Sequence, residues 1–425
     1  MTTGTTLAQI LADEMRRDGP MTLARFMAIA LYHPAFGYYA GGGAGREPVG
    51  WEGDYFTSGD LHPFWGESLA RQLHQMWELL GKPERFEVVE PGAGRGLLAR
   101  DVWGWALREA PDWAAALRYT LADRAPKDSP LRAAREQRLA AELARLNIPN
   151  GATRWADDLD AALPAEGITG CIVSNELADA LPTHLVVKQD GAMREIYVDV
   201  DAAAGRFVER VGPPSSPEVA SYLDSYRVAW RGYPDGWRAE VCLEAQAWMR
   251  RVAEGIRRGF ALTIDYGDTA RGLYTPHRRR GTLAVYSQHQ FGERPLAHLA
   301  HPGAQDITAH VNFTALIQAG RADGLRLAGL TTQAAFLTAL GLRARIAELG
   351  RPAGFSIGRG VGGIGGIAGA AGAIGDSQLD YLRRISQRNA LAALLVPSGL
   401  GGFKVLLQQR GVPGAGHALV GLRQP

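Results

Sequence analysis

The chain is poor in cysteine and lysine, and it has no apolar run long enough to cross a membrane. Its two cysteines, Cys171 and Cys242, lie far apart in the sequence, which argues against a disulfide framework and against a zinc site. Arg provides nearly all of the basic charge, and 46 basic residues against 44 acidic ones leave a formal net charge of only +2. The composition therefore predicts neither a nucleic-acid partner nor a membrane partner.

Several catalytic signatures are missing as well. The sequence contains no Ser-His-Asp order, no His-Glu-x-x-His and no paired Cys-x-x-Cys, so it predicts no hydrolase of those types and no metal site. Residues 1–8 lack a basic region leading into an apolar one, and they lack the Arg-rich start of a mitochondrial presequence. We therefore expect a cytoplasmic protein.

What the sequence does contain, from residue 86 onward, is an alternation of short apolar runs with helical patterns. The predicted strands are Phe86–Val89, Arg118–Ala122, Ile172–Ser174 and Ala261–Ile264, and the clearest helices between them are Leu97–Arg108 and Leu131–Leu146. This alternation is typical of a doubly wound, Rossmann-like α/β sheet with right-handed crossovers.

The remaining segments predict additions to this core. We assign residues 81–184 and 241–425 to the core, 1–80 to an N-terminal extension of helices and loops that covers the ligand site, and 185–240 to an inserted substrate subdomain with antiparallel strands. Residues 354–375 include ten glycines among 22 residues, which disfavours both a helix and a core strand and predicts a loop.

The most informative motif follows the first predicted core strand and reads Glu90-Pro91-Gly92-Ala93-Gly94-Arg95-Gly96. Alternating glycines between a strand and a helix let a ligand approach bare backbone. The spacing differs from the G-x-G-x-x-G that cradles a pyrophosphate, and the carboxylate of Glu90 would repel a phosphate. The motif favours a positively charged ligand, such as the ammonium group of S-adenosylmethionine, with a purely structural tight turn as the alternative.

Acids also follow the next two strands. Asp123 ends the second strand, where adenosine-binding α/β proteins hold ribose hydroxyls, although an exposed turn residue is the alternative. Asp157 and Asp158 precede Leu159 near the end of the third strand. One of these acids would bond an adenine amino group while neighbouring backbone makes the other contacts, and helix N-capping explains them equally well.

The fourth strand delivers the densest set of polar groups. Asn175 and Glu176 follow it directly and Asp179 comes three residues later. Ligands of doubly wound sheets bind beyond the carboxyl ends of the strands, so we place these residues in the site. Capping of the following turn is the alternative for Asp179.

The fifth strand and a later segment add further candidates. Asp265 and Tyr266 end that strand, and residues 305–313 bring Asp306 and His310 close together in the sequence. Asp306 and His310 would also fit a simple pair on a helix surface.

Together these motifs resemble the MidA-like family of S-adenosylmethionine-dependent methyltransferases, which has bacterial members and a mitochondrial branch involved in respiratory complex I assembly. The matching segments run in family order and lie at residues 32–39, 53–58, 90–96, 175–182, 265–267, 305–311 and 332–337. The chain departs from the family at Leu177-Ala178, where two phenylalanines are usual, and residues 354–375 look like an insertion. Both departures concern the acceptor rather than the cofactor.

The resemblance implies a class I methyltransferase sheet with S-adenosyl-L-methionine as the cofactor. The cofactor site then comprises Glu90, Gly92, Gly94, Gly96, Asp123, Asp157, Asp158, Leu159, Asn175, Asp54 and Thr57. Methyl transfer is an in-line displacement, so the enzyme mainly supplies proximity and orientation. Glu176 and Asp179 would orient a guanidinium or hydroxyl acceptor and take its proton, with Tyr266 and His310 as secondary candidates.

The sequence does not name the acceptor. The mitochondrial branch is associated with arginine methylation of a protein, so a protein arginine is one candidate, and a homodimer is compatible with the sequence. Two other functions remain open at this point. A nucleotide-dependent oxidoreductase is disfavoured by the glycine spacing and by Glu90, and a non-catalytic assembly factor that binds the cofactor would keep the same fold.

Overall fold

The structure is a computed structural model, and it describes residues 6–42, 47–50, 53–201, 203–287, 290–291, 296–350 and 383–423. The predicted glycine-rich loop at 354–375 lies outside the described residues. Within them, no helix combines the length and the apolar character needed to span a bilayer. The described residues also contain no cluster of His, Cys, Asp and Glu arranged to hold a metal.

Strands occur throughout the described part of the chain. They are β1 (Met21–Thr22), β2 (Phe86–Pro91), β3 (Leu117–Ala122), β4 (Thr153–Ala156), β5 (Ile168–Asn175), β6 (His184–Gln189), β7 (Ala192–Asp201), β8 (Arg206–Gly212), β9 (Arg238–Val241), β10 (Ile256–Asp265), β11 (Gly267–Asp268), β12 (Ala284–Ser287), β13 (Gln290–Phe291), β14 (Asp306–Thr308), β15 (Val311–Asn312), β16 (Arg326–Thr332) and β17 (Lys404–Arg410).

Helices connect most of the strands. They are α1 (Leu7–Asp18), α2 (Leu23–Tyr32), α3 (Ser58–Leu61), α4 (Phe64–Leu79), α5 (Leu97–Glu109), α6 (Pro111–Ala116), α7 (Pro130–Ala144), α8 (Leu159–Ala162), α9 (Pro217–Ser225), α10 (Leu243–Gly255), α11 (Ala270–Leu273), α12 (Ala297–Ala300), α13 (Phe313–Ala322), α14 (Gln333–Ala339), α15 (Leu342–Gly350), α16 (383–393) and α17 (Ala415–Ala418).

The central sheet has seven strands in the order β4-β3-β2-β5-β10-β17-β16. The first five are parallel, whereas β17 runs antiparallel to both of its neighbours. The chain starts in the middle at β2, moves outward to β4 and returns to β5 on the other side of β2. This reversal is the switch point at which doubly wound sheets bind ligands.

Apolar residues cover both faces of this sheet, which is why its parallel strands read as continuous apolar runs in the sequence. One buried cluster joins the sheet to α4, α5 and α14, and a second joins it to α8, α10 and α13. In β2 the side chain of Val88 belongs to the first cluster and that of Val89 to the second. The predicted doubly wound α/β core is therefore confirmed.

A second, antiparallel sheet stands beside the core. In it β7 pairs with β6, β8 and β1, and β6 also pairs with β9. The predicted antiparallel strands at 185–188, 194–200 and 206–210 are confirmed. β1 of the N-terminal extension also belongs to this sheet. Helices α1 and α2 pack on the sheet, where Phe26 of α2 and Ile196 of β7 lie in one apolar cluster. The extension and the insertion thus share one apolar cluster.

Candidate active site

A cavity of about 210 Å³ lies at the carboxyl ends of β2, β3 and β5, at the switch point of the sheet. Its roof comes from the N-terminal extension, including Tyr32, Tyr39 and Tyr55. The predicted site residues that line it are Thr57, Glu90, Gly92, Gly94, Asp123, Asp158, Leu159, Asn175 and Glu176. Gly96, Asp157, Asp54, Asp179, Tyr266 and His310 are not among the residues that line it.

The glycine loop between β2 and α5 is built from left-handed backbone. Gly92, Gly94 and Gly96 have φ values of +72°, +52° and +75°, which side chains with a Cβ rarely adopt. A Cβ on Gly94 would meet only a backbone oxygen at 4.0 Å, so this glycine leaves space on the cavity side. A Cβ on Gly96 would lie 2.6 Å from the side chain of Leu139, so Gly96 serves packing instead.

Glu90 is the acid that precedes this loop, and it is 7% exposed. The Tyr119 hydroxyl donates a hydrogen bond of 2.7 Å to its carboxylate, and in the described part of the chain no Lys or Arg forms an ion pair with it. Burial raises the pKa of Glu90 to about 8. A cation in the cavity would favour the charged form of this carboxylate.

Asp123 is held in place at the end of β3. Its carboxylate accepts hydrogen bonds from the backbone N–H groups of Gly94 and Ala125, and it pairs with the guanidinium of Arg135 at 3.3 Å. Arg135 also pairs with Glu47 of the N-terminal extension at 2.7 Å. Asp123 therefore joins the glycine loop to the cavity roof, and its part in holding a ribose stays a prediction.

The acids after β4 have local roles that the structure shows. The side chain of Asp158 caps α8 by accepting a hydrogen bond from the Ala161 N–H at 2.8 Å, which confirms the capping alternative. Asp157 is exposed and does not line the cavity. Asp54 is fully buried and accepts a hydrogen bond from the Tyr38 hydroxyl at 3.1 Å, so the structure places it behind the cavity roof.

Asn175 and Glu176 follow β5 and face the cavity. Glu176 has a φ of +49°, an uncommon conformation for a residue with a side chain. Its Oε1 atom accepts hydrogen bonds from the Ser58 N–H at 3.0 Å and from the Asn175 amide at 3.1 Å. The Asn175 Oδ1 atom is buried and has no hydrogen-bond partner among the described residues. Asn175 thus presents an acceptor for a bound ligand.

Asp265, at the end of β10, organises the backbone after β5. It is fully buried, and its Oδ2 atom accepts hydrogen bonds from the N–H groups of Leu177, Ala178 and Asp179. Its Oδ1 atom accepts one from the Tyr266 N–H. Asp265 therefore fixes the path of the chain immediately after Glu176.

The other three predicted catalytic residues lie together but away from the main cavity. Asp179 and His310 line a separate cavity of about 10 Å³. The ring of Tyr266 lies 5.3 Å from that of His310. Burial raises the pKa of Asp179 to about 6, and the Tyr266 hydroxyl partly opposes this rise. Burial also lowers the pKa of His310 to about 4. Asp306 lies in β14, so the interpretation of Asp306 and His310 as a helix-surface pair is wrong.

Sequence reasoning did not place Tyr32 and Tyr39 in the site, and it did not pair Asp306 with a tyrosine. Tyr39 lines the cavity, and its hydroxyl donates to the carboxylate of Asp306 at 3.0 and 3.1 Å. The rings of Tyr32 and Tyr39 stack at 5.5 Å. Burial and the nearby Asp179 raise the pKa of Asp306 to about 7. The tyrosines belong to a segment matched to the family, which was the available signal.

Comparisons with known proteins point to a methyltransferase family. A family model described as an S-adenosyl-L-methionine-dependent methyltransferase matches residues 68–331. The mitochondrial protein arginine methyltransferase NDUFAF7 homolog of Drosophila melanogaster is 28% identical over 361 residues, covering 81% of this chain and 76% of that protein. The mitochondrial protein arginine methyltransferase NDUFAF7 of Mus musculus is 28% identical over 374 residues, covering 82% and 77%.

A solved structure extends the similarity to the whole chain. The crystal structure of a Burkholderia thailandensis protein with bound S-adenosyl-homocysteine superposes on this chain with a TM-score of 0.78 at 31% identity. The match covers 98% of this chain and 94% of that one. A second crystal structure from the same organism gives a TM-score of 0.74 at 31% identity, covering 97% and 94%.

Proposed function

Because this chain belongs to the S-adenosyl-L-methionine-dependent methyltransferase family whose model it matches, we propose that its methyl acceptor is an arginine side chain of a protein. The observation that carries this proposal is the Glu176 carboxylate, which faces the cavity without an ion-pair partner among the described residues. The names of the curated relatives point to the same acceptor.

The residues at the glycine-loop end fit S-adenosylmethionine. Gly94 leaves room for a ligand against bare backbone, and Asn175 Oδ1 offers an unused acceptor. Glu90 places a buried carboxylate where a cationic ligand would favour its charged form. The bound cofactor supplies an electrophilic methyl group on a sulfonium.

Glu176 has the properties that a guanidinium acceptor requires. A carboxylate accepts N–H groups of a guanidinium in a planar arrangement, which would fix the orientation of the nitrogen that receives the methyl group. That nitrogen must also lose a proton, and burial raises the pKa of Glu176 to about 8, within the range useful for a general base. Glu176 would therefore both orient the acceptor and take its proton.

Further acids around Glu176 favour a cationic acceptor over a neutral one. Asp179, Asp265 and Asp306 are each at most 6% exposed, and charge repulsion from Asp179 raises the pKa values of Glu176, Asp265 and Asp306. A cation that enters this end of the cavity would relieve part of this repulsion. The rings of Tyr32 and Tyr39 also line the cavity, and the Arg124 guanidinium lies 5.6 Å from the centroid of the Tyr32 ring.

The test is transfer of a labelled methyl group from S-adenosylmethionine to the proteins of a cell extract, followed by acid hydrolysis and separation of the labelled amino acids. We expect the label in methylarginine. The Glu176→Gln variant should lose most of the transfer, and Glu166→Gln, the same change at an exposed glutamate, should keep it.

Label that appears mainly in another amino acid, or in a small molecule, would overturn the arginine acceptor while leaving methyl transfer intact. Equal activity in Glu176→Gln and Glu166→Gln would remove Glu176 from the reaction.

A further inference from the structure

The acceptor carboxylate is held from outside its own strand. Glu176 Oε1 accepts the backbone N–H of Ser58, the first residue of α3 in the N-terminal extension. The two residues are 118 positions apart in the sequence. Glu176 has a positive φ, and its side chain meets this N–H group at 3.0 Å, so the direction of the carboxylate depends on where α3 lies.

A fully buried glutamine fixes the position of Ser58. The Gln333 amide, at the start of α14, donates to the Ser58 hydroxyl at 3.1 Å and to the Leu400 carbonyl at 2.8 Å. The indole N–H of Trp65 donates to the Gln333 Oε1 atom at 3.0 Å. The Gln333 NH₂ group thus has a partner in Ser58 and another in Leu400, and the Gln333 carbonyl has one in Trp65.

We propose that Ser58 and Gln333 are positioning residues for methyl transfer, because the chain Gln333–Ser58–Glu176 sets the direction in which the carboxylate meets the acceptor. This inference rests on the proposed function of Glu176 and extends it to two residues that do not touch the acceptor. The backbone N–H of Ser58 carries the effect, and the Gln333 amide keeps that N–H in place.

Backbone chemistry provides a direct test at Ser58. Proline removes the N–H, and the first position of a helix tolerates proline well. Thr57, the preceding residue, has φ −94° and ψ 171°, an extended conformation that suits a residue before proline. Ser58→Ala is the matched control, because it removes the same hydroxyl and keeps the N–H.

Ser58→Pro loses a hydrogen bond to a charged group. We therefore expect kcat/KM for the acceptor to fall about 10- to 100-fold more in Ser58→Pro than in Ser58→Ala. Calorimetry with S-adenosylmethionine should give the same affinity for both variants within about threefold. Equal kcat/KM values in the two folded variants would overturn the role of the N–H.

A double-mutant cycle covers the case in which Ser58→Pro does not fold. Gln333→Met keeps an unbranched side chain of similar length and removes the amide that holds Ser58. We expect it to reduce transfer several-fold in the parent protein and to have no further effect in Glu176→Gln. An equal reduction in both backgrounds would show that Gln333 acts on general stability, and would contradict the proposal.

The pH profile separates positioning from stability. The Ser58 N–H lowers the pKa of Glu176 against burial, and Asp60 of α3, Asp179 and Asp265 are the charged groups that face it. The acid limb of the profile should therefore move further toward higher pH in Ser58→Pro than in Ser58→Ala.

Failure of the arginine proposal remains distinguishable from failure of this one. If the parent protein makes no methylarginine, the titration of Glu176 is followed instead by NMR of the carboxyl carbon in protein labelled at glutamate, with Glu176→Gln as the assignment control. A higher titration midpoint in Ser58→Pro than in Ser58→Ala supports the positioning contact, and identical midpoints contradict it.

Discussion

The two ends of the cavity are built in different ways. The cofactor end comes from one short loop at 92–96 and from the strand tips on either side of it, and its hydrogen bonds run mainly to backbone atoms. The acceptor end joins the segments 32–39, 55–58 and 176–177. Asp306 and Asp265 hold Tyr39 and the backbone after Glu176 from behind, and all of these groups come together only in the folded chain. The first end is a local structure, whereas the second depends on long-range packing.

The electrostatics of the two ends differ as well. At the cofactor end Glu90 is the buried carboxylate with a raised pKa, and the Tyr119 hydroxyl stabilises its charged form. At the acceptor end the acids Asp179 and Asp60 raise the pKa of Glu176 by charge repulsion. A cation would favour the charged form of the carboxylate at either end. The acceptor end is therefore where we propose that the guanidinium binds.

The largest effect is expected from a substitution at the cofactor end. In Gly94→Val a β-branched side chain would have to adopt φ +52° and would project into the cavity, so we expect S-adenosylmethionine affinity to fall at least about 100-fold. Calorimetry measures this directly. Gly104→Ala, at a helix glycine with open space around it, is the control and should bind normally. Near-normal binding by Gly94→Val would show that the cofactor lies elsewhere.

A somewhat smaller effect is expected from loosening the acceptor end. Asp265→Asn places an amide NH₂ group against backbone N–H donors, which should lower the free energy of unfolding by about 1–3 kcal/mol. Because the same contacts fix the chain after Glu176, methyl transfer should fall about tenfold or more. Denaturant unfolding and transfer assays measure the two effects, with Asp268→Asn as the control. A loss of stability without a loss of transfer would separate Asp265 from the acceptor end.

The pH dependence of transfer reports on the ionisation of Glu176 at the acceptor end. The pKa of Glu176 is raised to about 8, and only the ionised carboxylate accepts a guanidinium proton. At saturating cofactor, kcat/KM for the acceptor should therefore rise about tenfold per pH unit below pH 8 and level off above it. In Glu176→Gln this limb should vanish. A profile that Glu176→Gln leaves unchanged would assign the ionisation to another group.

The smallest expected effect concerns the cavity roof. Tyr39→Phe removes the hydroxyl that donates to Asp306 and keeps the ring that lines the cavity. We expect KM for the acceptor to rise a few-fold, about the value of one hydrogen bond, with cofactor affinity unchanged. Tyr226→Phe, at a hydroxyl bonded to Gln246 away from the cavity, serves as the control. A change in cofactor affinity instead would place Tyr39 at the other end.

Most of the residues that sequence reasoning assigned to the cofactor line the cavity, because the information that places them is local. The glycine spacing, the acid before it and the acids at strand tips follow from rules about strands, turns and helix starts. The same rules led to Asn175 and Glu176, since β5 ends there. They also put Asp157 and Asp54 in the site, whereas Asp157 is exposed outside the cavity lining and Asp54 lies behind the roof.

Contacts between distant segments could not be predicted in this way. Nothing local to Ser58 indicates that its N–H meets Glu176, and nothing near Tyr39 indicates Asp306 as its partner. Both contacts depend on how the N-terminal extension packs across the sheet. The cytoplasmic location, the homodimer and the absence of nucleic-acid and membrane partners stay predictions.

The division of the cavity into a cofactor end and an acceptor end is tested most directly by paired measurements on one preparation of Glu176→Gln. We predict that methyl transfer to protein falls about 100-fold, the value expected for loss of a general base and an orienting carboxylate, while calorimetry gives an S-adenosylmethionine affinity within about threefold of the parent protein. Parallel loss of transfer and cofactor affinity, or retention of both, would contradict it.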